Sequence, residues 1–332
     1  MRKTNHWLFL FLTLALATPM QGAEQRPAAA PARDYPSKTI RLVVPYPSGG
    51  GLDDVGRNLI LKLIPLVGQN IVLDNRGGAG GVIGSEMVAR AAPDGYTLLL
   101  NSSSHISVPF FIKSVPYDPV RDFMPVTLVA KSVGHVLVVN VSLPARSVKE
   151  FIALAKAHPG KLNYGSAGNG NVLHLAGEIF SRLAGVKMVH VPYKGVANAM
   201  TDLIGGQIEV CFPAASTALP FIQAGRVRAL VTTGTHRWSQ LPEVPTMEEL
   251  GFKGAKFYAW YGLWVPLNTP AAYVTYLQSE IAKAAKDTDL RHRYEQLGLE
   301  PVGSTAQEFE QTINEDFAFY KKLTASMGVV PQ

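Results

Sequence analysis

The sequence contains a single cysteine, Cys211, and only 17% of its 332 residues are charged. One thiol cannot form a disulfide bond within the chain, so no internal disulfide is expected. Cys211 lies in the apolar run of residues 208–212 with no base evident near it, which predicts a buried small side chain rather than a catalytic thiol. The 47% hydrophobic content is that of a globular protein, and the length suggests about two domains.

Metal-ligand clusters and basic stripes are also missing. The eight histidines are spread along the chain, and no His, Cys or Asp pair has the spacing of metal ligands. We therefore expect neither a metal site nor a cofactor. The basic residues are scattered and do not alternate with aromatic residues, which disfavours nucleic-acid binding. The formal net charge of +6 is a mild positive excess that suits an acidic ligand through electrostatic steering.

The N-terminus has the features of a secretory signal. Arg2 and Lys3 precede an apolar run at residues 7–17, which is too short to span a bilayer comfortably. We predict a signal peptide at residues 1–23, with cleavage nearer Ala30 or a membrane anchor as the alternatives. Residues 24–34 are rich in Ala and Pro, which predicts a disordered leader. No later stretch is long and apolar enough to cross a membrane, so a periplasmic protein is expected.

The remaining pattern alternates strands and helices, which indicates the α/β class. A first unit has predicted strands at 40–44, 71–73 and 97–100, with helices starting near Val55 and at residues 82–92. A long strand region at 126–139 leads to a second unit, and two amphipathic helices at 271–286 and 306–327 end the chain. Glycine-rich strand-to-helix junctions fall in both units, which predicts a ligand cleft between two lobes. The helices and strands predicted for the second unit lie at residues 148–157, 162–165, 172–183, 189–191, 197–204 and 227–232.

The first glycine-rich junction, residues 45–53, follows the first strand. Gly49, Gly50 and Gly51 let the backbone approach a ligand closely, and the helix that follows offers unpaired N–H groups that suit a carboxylate. Asp53 could cap or orient this loop. Neither a nucleotide-binding P-loop nor a dinucleotide fingerprint is present. A junction without a ligand is the alternative interpretation.

The second junction, residues 164–171, opens the helix that begins at Val172. Its small residues and free N–H groups repeat the chemistry of the first junction. His174 lies one turn into the helix, off the apolar face, so it either points toward the cleft or sits on the helix surface. Ser166 is not a hydrolase nucleophile elbow, because Tyr164 replaces the first glycine of that motif.

Two further segments carry polar groups at strand ends. Ser104 and His105 follow a strand, but adjacent residues on an extended chain point in opposite directions, which argues against a catalytic dyad. Tyr193, after the strand at 189–191, could meet a carboxylate or occupy a surface turn. We therefore expect no catalytic residue.

These motifs resemble, in order and spacing, those of the Bug family, the solute receptors of tripartite tricarboxylate transporters. The resemblance extends from Tyr35 to the C-terminus. Its motifs lie at residues 45–53, 75–81, 91–97, 115–118, 163–176, 191–195 and 241–246.

The resemblance implies a two-lobed periplasmic-binding-protein fold with two crossover strands, closing on a small organic acid for delivery to membrane permease subunits. It implies one domain at residues 35–132 and 256–332 and another at 133–255. A monomer is expected, because a receptor that hands over one ligand needs no partner copy. The ligand-binding residues implied by the resemblance are Tyr46, Ser48, Gly49, Gly50, Asp53, Ser104, His105, Ser166, Gly168, Asn169, Asn171, His174 and Tyr193.

Two positions depart from the family. Pro213 stands where the family usually has an Asp, and Leu52 stands where similar proteins often carry Thr. Both changes predict a ligand that is less polar at its far end than an amino acid, such as an aromatic or aliphatic carboxylate. A sensor that docks on a membrane histidine kinase is the main alternative function. A hydrolase or lyase acting on a carboxylate is a further one, but the spacing of the available acids and bases does not favour it.

Overall fold

The computed structural model describes residues 35–252, 259–326, 328–329 and 331. The predicted signal peptide and leader at residues 1–34 lie outside these residues. The described chain is an α/β fold with two separate sheets, as predicted. None of its described helices is both long and apolar enough to cross a membrane.

The first sheet has six strands in the order β11-β4-β10-β3-β1-β2. Strands β1, β2 and β3 are parallel, whereas β10 runs antiparallel to both of its neighbours. We call this sheet and its helices the first lobe. Its strands are β1 (Ile40–Val44), β2 (Ile71–Asn75), β3 (Thr97–Ser102), β4 (Phe123–Ser132), β10 (Trp260–Pro266) and β11 (Leu299–Pro301). Its helices are α1 (Gly51–Val67), α2 (Val82–Ala89), α3 (Ser104–Ser107), α8 (Ala271–Ala284), α9 (Thr288–Gln296) and α10 (Ala306–Ser326).

The second sheet has five strands in the order β7-β6-β8-β5-β9 and forms the second lobe with its helices. Strand β5 is antiparallel to β8 and β9, and β6 is parallel to β7 and β8. The strands are β5 (Val136–Asn140), β6 (Asn163–Ser166), β7 (Val189–Pro192), β8 (Val210–Cys211) and β9 (Val227–Thr232). The helices are α4 (Val148–Ala157), α5 (Val172–Ala184), α6 (Val196–Ile204) and α7 (Ala215–Gln223).

The strand region predicted at 126–139 is two strands in different sheets, so that prediction was wrong in its extent. Strand β4 ends at Ser132 and β5 begins at Val136. Gly134 between them has a φ of +133°, which a side chain would disfavour, and this allows the chain to turn from one sheet to the other. On this ground we propose the first domain boundary near residue 132. The proposed second boundary at 255 lies outside the described residues.

The central strands are buried on both faces because helices cover each sheet. Every residue of β5 and of β10 is buried, as expected for strands between two helical layers. In the first lobe, the ring of Phe309 from α10 packs against Trp260 and Trp264 of β10. Gly262 lies directly beneath that ring, and a Cβ there would come within 2.0 Å of Phe309. Packing of this kind fixes β10 and the loops at its end.

Candidate ligand-binding cleft

Two glycine-rich loops meet where the lobes face each other. The first loop (residues 45–53) leaves the carboxyl end of β1, and the second loop (residues 165–171) leaves the carboxyl end of β6. Ligands of open α/β sheets bind at such strand ends. Between the loops lies a cavity of about 60 Å³ in this closed form. From the first lobe it is lined by Tyr46, Pro47, Gly50, Gly51, Leu52, Asp53, Ser102, Ala259 and Tyr261. From the second lobe it is lined by His135, Ala167, Asn171, Val172, Leu173, Val196, Ala214 and Thr217.

Side chains from the two lobes are hydrogen-bonded to each other beside this cavity, across an interface that we call the seam. The Asn171 amide donates to Tyr46 Oη and to Ser104 Oγ, both at 3.1 Å. Ser104 Oγ also accepts from the Val172 N–H at 2.9 Å, at the start of α5. Asn171 caps the same helix, because its Oδ1 accepts from the Leu173 N–H at 2.9 Å. The N-terminus of α5 is therefore satisfied by protein groups, and the lobes are closed on each other.

Close contacts between the first lobe and the backbone of the second loop also belong to the closed form. Ser107 Oγ in the first lobe donates to the Gly170 carbonyl at 2.6 Å. Gly168 has a φ of +121°, and a Cβ added there would lie 2.9 Å from the Gly80 Cα of the first lobe. A Cβ on Gly80 would in turn lie 2.6 Å from the Asn169 carbonyl oxygen. Only glycine fits at these positions while the lobes are closed.

Asp53 holds the first loop in shape. Its carboxylate accepts from the Gly49 N–H at 3.1 Å, from Arg57 Nε at 2.9 Å and from the Asn75 amide at 3.1 Å. The residue is only 4% exposed. Its charge is therefore compensated within the first lobe, which matches the orienting role considered for it from the sequence.

The N-terminus of α1 opens onto the cavity without a side-chain cap. Gly50 occupies the cap position, and Gly51 and Leu52 of the first turn line the cavity. The first N–H groups of a helix lack intrahelical partners and carry a positive partial charge. They form a site for an oxyanion that requires no cationic side chain. Among the described residues that line the cavity there is no Lys or Arg.

The opposite side of the cavity is formed by the start of α7. Its cap residue, Ala214, also makes no side-chain cap. Thr217 Oγ1 is buried there and has no hydrogen-bond partner within the described chain. The hydroxyl of Tyr261 lies 3.2 Å from where a Cβ on Gly51 would be. Thr217 of the second lobe and Tyr261 of the first lobe therefore offer hydroxyl groups to a ligand.

His105 is not at the cleft edge, contrary to the resemblance-based expectation. Ser104 and His105 begin the short helix α3 rather than continuing a strand, so Ser104 faces the seam while His105 enters the core. The imidazole packs between Phe123 and Trp264, with ring centroids 4.6 and 4.8 Å away, and its Nε2 lies 3.1 Å from the Pro119 carbonyl oxygen. Burial lowers the pKa of His105 to about 3, so it is neutral. The geometry supports no Ser–His dyad.

His174 and Asn169 lie on the outer side of the second loop and not in the cavity. They line a separate groove of about 390 Å³ together with His190 and Phe111. The imidazole of His174 stacks on that of His190, with ring centroids 3.8 Å apart and planes 5° from parallel. Ser166 braces the second loop from within, because its hydroxyl contacts both the N–H and the carbonyl of Gly168.

The other predicted residues outside the cavity lining are Ser48, Gly49, Ser104, Gly168, Tyr193 and Pro213. Tyr193 donates its hydroxyl to Asp202 at 2.7 Å within the second lobe. Pro213 is buried, and its carbonyl accepts from the Val136 N–H at 3.0 Å, so it is Ala214 that reaches the cavity. Ser48 lies in the first loop but does not line the cavity.

Of the predicted residues, Tyr46, Gly50, Asp53 and Asn171 line the cavity directly. Prediction from the sequence missed other lining residues, several of which come from elements outside the two loops. The missed lining residues include His135, Leu173, Val196, Thr217, Ala259 and Tyr261. Within the described chain no three His, Cys, Asp or Glu side chains are grouped to hold a metal ion.

Comparison with known proteins shows the family and the fold of this chain. Residues 55–329 match the model of the "Tripartite tricarboxylate transporter family receptor". BugT of Bordetella pertussis is 36% identical over 304 residues, which cover 90% of this chain and 93% of that protein.

Two solved structures share the whole fold. The structure of the periplasmic binding protein BugD superposes with a TM-score of 0.85 at 33% identity, covering 90% of this chain and 100% of BugD. The R. palustris protein Rpa4515, solved with adipate, superposes with a TM-score of 0.86 at 32% identity, covering 90% and 100% of the two chains. The chain therefore belongs to the receptor family of tripartite tricarboxylate transporters, and it is a solute-binding protein of the two-lobed periplasmic-binding-protein fold, not an enzyme.

Proposed function

We propose that this receptor captures a small organic carboxylate in the cavity between its two glycine-rich loops and delivers it to the membrane permease subunits of its transporter. The observation that carries the proposal is the uncapped N-terminus of α1, which opens onto a cavity closed by both lobes. An oxyanion there would accept from the free N–H groups of the first turn. The carboxylate of the ligand is the group that fits this position.

The second lobe completes the proposed site. When the lobes close, Asn171 and the start of α5 are brought against Tyr46 and Ser104. A ligand bound to the first loop is then enclosed, and it stabilises the closed form in proportion to its preference for that form. Ser48, Gly49, Ser166 and Gly168 act in this proposal by shaping the two loops.

The cavity favours an acid without an amino group. Asp53 is the one acidic residue among the described lining residues, and its oxygens already accept three hydrogen bonds. A ligand ammonium group would therefore find no free carboxylate among these lining residues. The hydroxyls of Thr217 and Tyr261 could instead donate to a second acid group or to a ligand hydroxyl. The relative Rpa4515 was solved with adipate, an aliphatic acid with no amino group, and we propose an aliphatic carboxylate for this chain too.

The proposal includes export to the periplasm through the signal peptide at residues 1–23 and action as a monomer. Mass spectrometry of the protein purified from the periplasm tests both the export and the cleavage site. The expected mass is that of a mature chain that begins at residue 24 or near Ala30. An intact N-terminus retained in the membrane fraction would contradict the proposed export. Light scattering of the mature protein tests the monomer.

Ligand capture is tested by a thermal-shift screen against adipate, malate, citrate, benzoate, aspartate and glutamate. A ligand present at 100 times its dissociation constant should stabilise the protein by about 2.7 kcal/mol, which is readily detected. A shift from adipate or malate, with none from aspartate or glutamate, is the expected result. A shift from benzoate alone would select an aromatic acid. No shift from any acid, with folded protein, would refute the carboxylate proposal.

A further inference from the structure

Two histidines that do not line the ligand cavity lie against the outer face of the second loop. His174 on α5 and His190 on β7 stack in parallel at 3.8 Å. They lie on the seam, because Phe111 of the first lobe packs on His174 with ring centroids 4.7 Å apart. The groove beside them, also lined by Val329 near the C-terminus, gives water access to the pair.

One contact ties His174 to the ligand loop. The Gly170 N–H donates to His174 Nδ1 at 3.1 Å. The carbonyl of the same residue accepts from Ser107 Oγ of the first lobe at 2.6 Å. Gly170 is therefore held between His174 on one side and the opposite lobe on the other. An imidazolium has no acceptor nitrogen, so a proton on Nδ1 would break the contact with Gly170 and set two N–H groups against each other.

His190 supports the same loop from the other side. Its Nε2 lies 2.6 Å from Ser166 Oγ, whose hydroxyl also donates to the Gly168 carbonyl at 3.0 Å and accepts from the Gly168 N–H at 3.1 Å. The single hydroxyl proton can satisfy all three contacts only if His190 donates from Nε2. A neutral His190 with its proton on Nε2 fits this pattern.

We propose that His174 and His190 are positioning residues, and that the second loop closes on its ligand only while His174 is neutral. Ligand affinity in this receptor is then coupled to pH. The inference rests on the proposed function, because the affected step is capture of the carboxylate by lobe closure.

One acidic group lies close enough to attract an imidazolium at His174, but it belongs to the same helix, so its attraction is present in the open and the closed form alike. Glu178, on α5 itself, has its Oε1 3.8 Å from His174 Nε2, beyond a hydrogen bond, and that oxygen accepts from Tyr164 of β6 at 2.6 Å. The group facing His174 from β7 is His190, and from the first lobe it is the uncharged Phe111. Burial and then the proximity of His190 lower the pKa of His174 to about 3, and burial lowers the pKa of His190 to about 4.

The direction of the coupling follows from these contacts. Opening the lobes removes Phe111 from His174 and Ser107 from the Gly170 carbonyl, so the open form takes up a proton nearer the ordinary histidine pKa of about 6.5. Protons therefore favour the open form, and affinity is greatest above that pH and falls as the pH drops below it. One proton taken up at His174 weakens binding about tenfold at pH 5.5 relative to pH 7.5.

The test compares the wild type with His174→Asn, whose side-chain oxygen can accept from Gly170 but does not titrate. Dissociation constants for adipate are measured by calorimetry at pH 7.5 and 5.5. We expect the dissociation constant at pH 5.5, divided by that at pH 7.5, to be about tenfold larger for the wild type than for His174→Asn. Comparing the two proteins also cancels the ionisation of adipate itself. The exposed His292→Gln should keep the wild-type ratio, and His174→Leu, which removes the acceptor, should weaken binding at both pH values. Equal ratios for the wild type and His174→Asn would overturn the inference.

A second measurement needs no variant. In ¹⁵N spectra of the histidine imidazoles of the wild-type protein, His174 should show an unprotonated Nδ1 and a protonated Nε2 at pH 8 with or without adipate, and it should keep this form at pH 6 when adipate is bound. Titration of His174 near pH 6.5 in the adipate-bound protein, or the opposite tautomer at pH 8, would overturn the inference. Failure of adipate to bind at pH 7.5, with this tautomer observed, would count against the choice of ligand and not against the role of His174.

Discussion

Closure of the lobes predicts that a single methyl group at Gly80 weakens ligand binding far more than it weakens folding. Gly80 has a φ of +65°, so Gly80→Ala places alanine in the left-handed region at a cost of about 1 kcal/mol. Its Cβ would also lie 2.6 Å from the Asn169 carbonyl oxygen of the other lobe. That oxygen is backbone, so relief requires the lobes to separate by several tenths of an ångström.

Separation of this size strains the hydrogen bonds that cross the seam. These bonds run from Ser107 to the Gly170 carbonyl and from Asn171 to Tyr46 and Ser104. They are close to the altered contact, because Gly170 and Asn171 directly follow Asn169 and because Tyr46 Oη also donates to the Gly80 carbonyl at 2.7 Å. Each contributes about 1 kcal/mol. The closed form should lose about 2 kcal/mol, which weakens ligand affinity about 30-fold.

Gly68→Ala is the matched control. Gly68 ends α1 with a φ of +69°, and a Cβ there would meet nothing within 4 Å. Both variants should lose about 1 kcal/mol of unfolding free energy in urea titrations. Only Gly80→Ala should lose affinity in a calorimetric titration with the acid that gives the largest thermal shift. Equal dissociation constants for the two variants would refute the closed geometry proposed for the bound state.

Three further predictions concern the seam and the buried histidine. Asn171→Ala should lower both the unfolding free energy and the ligand affinity, because it removes the α5 cap and the bonds to Tyr46 and Ser104. The control Ser147→Ala removes only the α4 cap, so in the same titrations it should lower the unfolding free energy by about 1 kcal/mol and leave the affinity unchanged. His105→Leu should leave the dissociation constant unchanged, since His105 lies in the core; weaker binding by this variant would contradict that placement. The folded-state pKa of His105 is about 3, so its contribution to stability is complete above about pH 6.5 and is lost as the pH falls toward 3. Urea titrations at pH 7.5 and 5.0 should therefore show that the unfolding free energy of His105→Leu falls by about 2 kcal/mol less than that of the wild type.

Local sequence patterns predicted much of the fold because many elements have clear ends. The predicted bounds of β1, α4 and β9 coincide with those in the structure. Short apolar runs and helices that stop at Pro or Gly need only local information. By contrast, α7 and β10 were missed. Helix α7 has no side-chain cap and contains Pro220, and β10 contains Gly262 and is buried at every position, so neither has a clear period.

The same distinction between local sequence patterns and tertiary packing applies to the site. The two glycine-rich loops were predictable, because a strand end, small residues and a helix N-terminus are adjacent in sequence. The directions of His105 and His174 were not predictable, since tertiary packing decides them. His105 turns into the core because α3 starts at Ser104, and His174 turns outward because His190 from β7 provides a stacking surface. Thr217 reaches the cavity from a helix that the sequence did not reveal.

In the proposed function the site recognises an anion without a cation in its described lining, and Asp53 makes that arrangement possible. A bare carboxylate beside the first turn of α1 would repel a bound anion in the low-dielectric cavity. In this chain the carboxylate oxygens accept from Gly49, Arg57 and Asn75, and Arg57 lies on the far side of the loop at 56% side-chain exposure. The charge of Asp53 is thus balanced from outside the cavity, while the helix N–H groups remain directed into it. The attraction for the ligand then comes from fixed dipoles that need no reorganisation, and it acts at full strength only when closure excludes water.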